Sequence, residues 1–345
     1  MTGLKQQKVT MQSIADLLHI SKNSVSQALS GKDGVSDDTR NLVIETAEKL
    51  GYMYAAARKK NQQEHKGSIA LIASEYAFSK RSFFGEIYLS IEQECAKHGM
   101  ALQIQSVNPQ AREGLILPSF VQNQSIDGIL ILSHISTEYI NTILATGIPT
   151  VLIDHHHPKI HADCILTNNR FGGYEAVHHL IKLGHQKIGF VGDVNISPSY
   201  QERLEGYYLA MNEAGFAAHP EWLLTDINET AAEVADRLAS IGSMPTAWFC
   251  VNDGLGFMVI ASLQQMGFKV PHHISVCSFD NGELSQINTP TTTTMAVDLG
   301  KYGKRALEQL LWRIQNPSEP NVEILLPVTL IERESTRQPD NGHLE

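Results

Sequence analysis

The sequence predicts a small all-α helix-turn-helix head followed by an α/β body of two doubly wound parallel-sheet lobes. Three observations predict it. Residues 10–50 hold three short helical stretches separated by tight turns. From Ser68 onward, short apolar runs alternate with amphipathic stretches, the pattern of parallel sheets covered by helices on both faces. Seven such runs are spread over roughly 260 residues, more strands than one sheet of usual size takes, which points to two sheets with a cleft at their strand ends.

Bulk properties agree with this division. A chain of 345 residues exceeds one ordinary core, and 42% hydrophobic with 19% charged residues describes a globular protein, neither disordered nor fibrous. The first residues, MTGLKQQKVTMQ, lack the apolar run of an export signal, and no stretch reaches membrane-spanning length. Cys95, Cys164, Cys250 and Cys277 are scattered without a C-x-x-C pair, which argues against a disulfide framework or structural zinc. The expected location is the cytoplasm. Residues 1–66 carry 10 Lys and Arg against 7 Asp and Glu, a net +3, whereas the rest carries 17 against 30, a net −13. A basic head on an acidic body suits a nucleic-acid reader whose body stays off the phosphates.

In the head, Thr10 can cap a helix from Met11 to Leu18 with Ile14, Leu17 and Leu18 as its buried stripe. His19-Ile20-Ser21 makes a tight turn, and Ser21 caps a second helix, Lys22 to about Ser30, which Gly31 can stop. Ser36 caps a third, with Asp37 and Asp38 against the helix dipole, Leu42, Ile44, Ala47 and Leu50 as the apolar face, and Gly51 at the end. In the second helix Val25, Ala28 and Leu29 face inward, leaving Lys22, Asn23, Ser24, Ser26 and Gln27 without an apolar role. Amides can pair with adenine, and Lys can reach guanine or phosphate. A plain solvated helix would show a similar face; the helix-turn-helix frame favours DNA.

In the body, strands are expected at Ile69–Ala73, Leu102–Ser106, Gly128–Leu132, Thr150–Ile153, Lys187–Val191, Ala247–Val251 and Ile274–Ser278. Helices fit at Gly85–His98, Gly172–Leu183, Arg203–Ala214, Ala231–Ile241 and Gly256–Met266. The triplet His155-His156-His157, near Asp154, His161 and Cys164, follows a strand end and precedes Pro158. It lacks the fixed spacing of helical metal pairs, so a polar loop at the cleft mouth is expected, with no metal and no cofactor. At most one of these histidines is expected to reach the ligand.

The stretch VTMQSIADLLHISKNSVSQALSGKDGVSDDTRNLVIETAEKLGY resembles the headpiece of the LacI/GalR family of bacterial transcriptional regulators, through the run S-x-x-S-V-S-x-x-L-x-G above all. The resemblance implies that Lys22, Asn23 and Gln27 read bases, Gln27 standing where many relatives carry Arg. The wider DNA-contacting set is Thr10, Ser21, Ser24, Ser26, Tyr52, Arg58, Lys59 and Lys60. Relatives follow the head with a hinge helix that opens with Pro-Asn and ends in a Leu wedged into the minor groove. Here Tyr54 or Ala55 replaces the opening, and Lys60-Asn61 stands in place of the Leu. Arg58, Lys59 and Lys60 are expected to take phosphates or a narrow minor groove instead, so the operator centre should be less sharply kinked and favour A·T.

The body resembles the same family through runs such as GIPTVLID, ERLEGYYLAM, TAWFCVNDGLGF, VPHHISVCSFDN and LIERESTR. The resemblance implies a periplasmic-binding-protein-like body of two lobes joined by crossovers. The implied organisation is a headpiece over 1–52, hinge and linker over 53–67, and an effector and dimerisation domain over 68–338. Its N-lobe takes 68–166 and 296–326, and its C-lobe 167–295 and 327–338. Phe83, Asp154, Ser199, Arg203, Asn252 and Asp280 match effector positions, Arg203 and Asp280 as opposed clamps. Asn252 and Asp280 could also be loop caps, and Asn168-Asn169 departs from the family's acidic residue before Asn.

The expected function is a transcriptional repressor that binds double-stranded operator DNA as a homodimer under a small sugar or sugar derivative, without membrane association. TRQPDNGHLE holds no leucine heptad for a tetramer. The competing functions are a sugar-binding receptor and a sugar-acting enzyme carrying a DNA-binding head. The chain has no Walker, dinucleotide-binding, nucleophile-elbow or H-E-x-x-H motif, and GKYGK at 300–304 has the wrong spacing.

Overall fold

In a computed structural model the described residues are 10–30, 34–50, 52, 67–79 and 81–339, in two units that divide at Gly67–Ser68. The head contains α1 (Met11–Leu18), α2 (Lys22–Ser30) and α3 (Asp37–Lys49). Thr10 and Ser13 form a reciprocal capping box on α1, and left-handed His19 (φ 53°) ends it. The Ser24 N–H donates to Ser21 Oγ at 3.0 Å, and the Thr39 N–H to Ser36 Oγ at 3.3 Å. Each expected cap is therefore made.

The stripes differ from expectation in phase. Ile14, Ala15, Val25, Ala28, Leu29, Val43 and Ala47 are the buried core, with Met11, Leu18, Ile44 and Tyr52 packed against it. Leu17, Leu42 and Leu50 were expected inside, and they are 58%, 51% and 37% exposed. At 100° per residue, Met11, Ile14, Ala15 and Leu18 share one face of α1, and Leu17 lies roughly 110° from its centre. Val43 and Ala47 set the phase of α3 likewise and turn Leu42 outward. Gly31, Gly51 and the hinge, with Arg58, Lys59 and Lys60, lie outside the described residues.

The body has two six-stranded sheets. Sheet one contains β1 (Ser68–Ser74), β2 (Ala101–Val107), β3 (Gly128–Leu132), β4 (Thr150–Ile153), β5 (Asp163–Thr167) and β11 (Glu323–Leu326), in the order β11-β5-β4-β3-β1-β2. Sheet two contains β6 (Ile188–Val191), β7 (Leu223–Leu224), β8 (Ala247–Cys250), β9 (Ser275–Asp280), β10 (Thr293–Val297) and β12 (Val328–Ile331), ordered β12-β10-β9-β8-β6-β7. The β1–β3 and β6–β8 pairings are parallel, and β12 joins β10 antiparallel. Central strands read as unbroken apolar runs because helices cover both their faces: every residue of β3 and β4 is buried.

The long helices are α4 (Glu86–Lys97), α5 (Thr137–Leu144), α6 (Asn169–Lys182), α7 (Pro198–Glu213), α8 (Ala231–Ala239), α9 (Asp253–Gln265) and α10 (Leu299–Gln315). Helix α6 starts at Asn169 rather than Gly172. Helix α7 starts at Pro198 rather than Arg203, because Ser197 caps it and Pro198 takes its first turn. The chain crosses between lobes at Asn168, at Asp298 and at Pro327. Strand β10 therefore runs on to Val297 in the second sheet, past the expected crossing at 295–296, since its ladder with β12 continues through Val297. Among the described residues, no helix is long and apolar enough to cross a membrane.

Helix α10 fastens this exchange. Buried Arg313 grips Asp163 at the start of β5 through two bonds, Nε–Oδ2 at 2.8 Å and Nη2–Oδ1 at 2.7 Å, and also donates to the Glu319 and Pro320 carbonyls. Asp163 in turn accepts the Val322 N–H at 2.9 Å, beside β11. Arg313→Ala leaves Asp163 buried without its cation and should cost about 3–5 kcal/mol in urea unfolding. Arg313→Lys, which loses the fork but keeps the charge, should fall between variant and wild type. Equal stability of Arg313→Ala and the wild type would contradict the anchor.

Candidate effector cleft and DNA-reading helix

Strand carboxyl ends of both sheets meet at a cavity of about 490 Å³, within the range of small-molecule sites. Ser74 ends β1, Ser133 follows β3, Asp154 follows β4, Asn252 lies just beyond β8 and Asp280 ends β9; all five line it. Three of these, Ser133 (φ 64°), Asp154 (φ 55°) and Asp280 (φ 105°), are non-glycine residues in left-handed backbone. Such conformations cost on the order of 1–3 kcal/mol each and cluster at ligand sites.

Arg203 forms the floor. Helices α6 and α7 approach so closely that a Cβ on Gly173 would lie 2.4 Å from the Arg203 carbonyl oxygen, and one on Gly206 would lie 2.1 Å from that of Arg170. This contact seats the Arg203 backbone against α6 and leaves its side chain 3% exposed. Nε donates to Asn169 Oδ1 at 2.9 Å, and Nη1 donates to the Val251 carbonyl and to Asp280 Oδ1 at 3.4 Å. The guanidinium carbon lies 3.7 Å from the Phe279 ring centre. Arg203 and Asp280 thus lie side by side on one lobe, not as clamps on opposite walls: β9 and α7 both pack on α6, and Asp280 ends β9 beside Arg203. Asn169, from the pair that departs from the family pattern, orients this arginine.

Asn252 caps α9, its Oδ1 accepting the Leu255 N–H at 2.7 Å, and its Nδ2 donates to Glu229 Oε1 at 2.8 Å and to the Tyr200 hydroxyl. Tyr200 donates to the same Glu229 oxygen at 2.7 Å. Asn252 is therefore a cap that also faces the cleft, both roles at once. Ser199, on α7, donates across the lobes to Asp154 Oδ1 at 3.3 Å, and Tyr302 donates to that oxygen at 3.5 Å. Phe83, half-buried in a turn of π-helix, Arg81–Gly85, meets Phe84 edge-to-face at 5.0 Å on the N-lobe wall. All six expected effector residues line this one cavity. Sequence reasoning missed Tyr200, Glu229, Asp253 and His134, which also line it; Tyr200 lay one residue beyond Ser199, on a helix expected to begin later.

Burial moves the carboxyls. Asp154 is pushed up to about 6 by burial against the opposing pull of Arg203 and Ser199. Asp280 rises to about 8 through burial, with Arg203 opposing and Asp253, Asp154 and Glu229 adding to the rise. Asp253 is buried and raised as well, although Ser278, Thr294 and the Gly282 N–H all donate to it. The histidine triplet is not a uniform polar loop. His155 is buried beside His134, ring centres 4.7 Å apart, and burial depresses it to about 3. His156 Nε2 lies 2.8 Å from Glu202 on α7, and His157 Nδ1 accepts the Lys159 N–H at 3.1 Å. None of the three lines the cavity.

In the head, Ser21, Lys22 and Asn23 are exposed at the start of α2, with Thr10 exposed at α1. Ser24, Ser26 and Gln27 are half-buried, and the Gln27 amide lies against Gly34. Tyr52 packs on the head core, its N–H bonded to the Ala47 carbonyl at 2.8 Å.

Residues 177–336 match the model of the periplasmic binding protein-like domain family. The chain is 31% identical over 329 residues to the ribose operon repressor of Haemophilus influenzae, covering 94% of this chain and 98% of that protein. The chain belongs to the LacI family of transcriptional regulators. Among solved LacI-family structures, a regulator from Enterococcus faecium with bound ribose matches at 25% identity and TM-score 0.67, covering 79% of this chain and all of that one. The Lac repressor dimer bound to operator and the anti-inducer ONPF matches at 21% identity and TM-score 0.70, over 96% of this chain and 100% of that one, and shares the fold.

The raised Asp280 makes the cleft testable without a ligand. The folded-state value of Asp280, about 8, stands above its ordinary 3.8, so the folded chain holds a proton that the unfolded chain has released between them. The stability linked to this proton is complete at low pH and lost as pH rises through about 8. Asp280→Asn removes that titration. Its thermal midpoint relative to wild type should therefore improve between about pH 5.5 and about pH 8.5. A difference that is the same at both values would contradict the assignment.

Proposed function

We propose that this LacI-family regulator is a repressor that reads double-stranded operator DNA through Lys22, Asn23 and Gln27, and whose hold on DNA is set by a small polyhydroxylated effector in the body. One observation carries the effector half: a cavity of about 490 Å³ ringed by strand ends, with buried Arg203 beside half-buried Asp280 in its floor. Paired donors and acceptors of fixed geometry are what vicinal hydroxyls need, and Phe83 offers an apolar wall to a ring face. The ribose bound by the Enterococcus faecium regulator supports a sugar or sugar derivative.

Two heads reading a palindromic site gain the affinity that one short recognition helix lacks, so the working species is a homodimer in the cytoplasm. The Lac repressor dimer on its operator supports that assembly. The protein binds its effector and does not turn it over; release of product from a candidate sugar would contradict this. The DNA-contacting set also includes Thr10, Ser21, Ser24, Ser26 and Tyr52, with Arg58, Lys59 and Lys60 on the operator centre.

Lys22→Ala or Gln27→Ala should cost about 1–3 kcal/mol on an operator selected from random duplexes, measured by gel shift. Wild-type affinity in both variants would remove α2 from base reading. Arg203→Ala, checked by thermal melting for a folded body, should lose the effector response and keep operator binding. A normal calorimetric affinity for the wild-type effector in that variant would displace the site from this cleft.

A further inference from the structure

We propose that His156 and Glu202 form a proton-dependent latch between the two lobes, one that closes the cleft when His156 carries its charge. Neither residue lines the cavity. His156 lies in the loop between β4 and β5 of the N-lobe, and Glu202 lies on α7 of the C-lobe. His156 Nε2 is 2.8 Å from Glu202 Oε1, and Nδ1 is 3.6 Å from Glu323 Oε1 on β11. One ring nitrogen therefore faces the opposite lobe, and the other faces its own. His156 and Glu202 are 28% and 21% exposed, shielded enough for a charge between them to count, whereas Glu323 at 59% is largely screened by water. The second oxygen of Glu202 accepts from Asn169 Nδ2 at 3.0 Å, and Asn169 Oδ1 accepts from Arg203 Nε at 2.9 Å. The latch is thus seated on the residue that orients the floor of the cleft.

A proton on His156 strengthens the contact, because only the imidazolium has N–H donors on both ring nitrogens and a charge to set against Glu202. The bond to Glu202 holds His156 above its ordinary value, with burial opposing and Glu323 adding to the rise. Burial pushes Glu202 up, yet the bonds from His156 and Asn169, with Arg170 of α6 nearby, leave it below its ordinary value. On the same loop stand Asp154, His155 and His157, and burial keeps His155 neutral. Asp154 belongs to the other contact between the lobes, where it accepts from Ser199. That contact runs the opposite way with pH, since it is strongest when Asp154 is a carboxylate, above about 6. The His156 latch is complete below the ordinary histidine value of 6.5 and is lost as pH rises through the raised one.

Energy transfer between dyes on opposite lobes of the full chain tests this without a ligand. The dye sites are Gln110→Cys, on the short N-lobe helix Pro109–Glu113, and Ala232→Cys, on α8 of the C-lobe. Both positions are exposed, and the four native cysteines are buried. An excess of unlabelled chain confines each dye pair to one copy. Glu202→Gln keeps the side chain's size and an acceptor for Asn169, so it removes the charge alone. At about pH 6 its ratio of closed to open lobes should be about threefold or more below wild type, and by about pH 8.5 the two should converge. His156→Gln should behave likewise, and the double variant should match either single one. A difference from wild type that is the same at both pH values, or absent at both, would overturn the latch, as would losses that add in the double variant. In the wild type itself, carbon NMR of labelled histidine should place the His156 midpoint above 6.5. A midpoint at or below that value would overturn the proposal whether or not the variants fold.

Discussion

The buried guanidinium of Arg203 is the constraint on which the effector cleft depends. A cation that is 3% exposed has lost nearly all its water, and the loss must be offset by fixed partners. Those partners come from separate parts of the C-lobe: Asn169 at the start of α6, the carbonyl of Val251 after β8, and Asp280 at the end of β9. Each must be in place for the charge to be tolerated. One side chain thereby fixes the relative positions of the first crossover, a helix and two strand ends. The glycines at 173 and 206 make this possible, since only they let α6 and α7 come close enough to set the arginine there.

The same burial explains the strained strand ends and the raised acids. Left-handed backbone at Ser133, Asp154 and Asp280 turns polar groups toward the cavity instead of along the sheet. Burial raises these carboxyls, which also repel one another, against the pull of Arg203 and, at Asp154, of the Ser199 and Tyr302 hydroxyls. Contacts that span the lobes, Ser199 to Asp154 and His156 to Glu202, lie close to this floor along α7. A ligand that changes the spacing of Asp154 and Ser199 acts on both lobes together.

Much of this was legible in the chain. Strands β3 and β4 stand where the apolar runs Gly128–Leu132 and Thr150–Ile153 put them, because a centrally buried strand advertises itself by composition alone. The three head helices were marked by Thr10, Ser21 and Ser36, short hydroxyl side chains that take the first free N–H of each helix. Helix α10 was missed although Tyr302, Ala306, Leu307, Leu310 and Arg313 recur at helical spacing after the Asp298 cap; the two glycines of GKYGK in its first turns weaken the helical signal. Strand β5 was hidden by the histidines before it, and β11 and β12 are short, half-exposed edges with little apolar signal. The resemblance brought six residues to the cleft, but the meeting of Arg203 and Asp280 depends on the long-range packing of both α7 and β9 on α6. No local pattern reports that.

The central claim, that Arg203 organises a ligand cleft at the strand ends of both lobes, is tested most directly by hydrogen–deuterium exchange with and without the tightest-binding sugar. Protection is predicted around residues 133–135 and 154 of the N-lobe and around 197–203, 252–255 and 280–284 of the C-lobe, where the cavity is lined. Protection confined to the head, or to surfaces away from these strand ends, would contradict the claim.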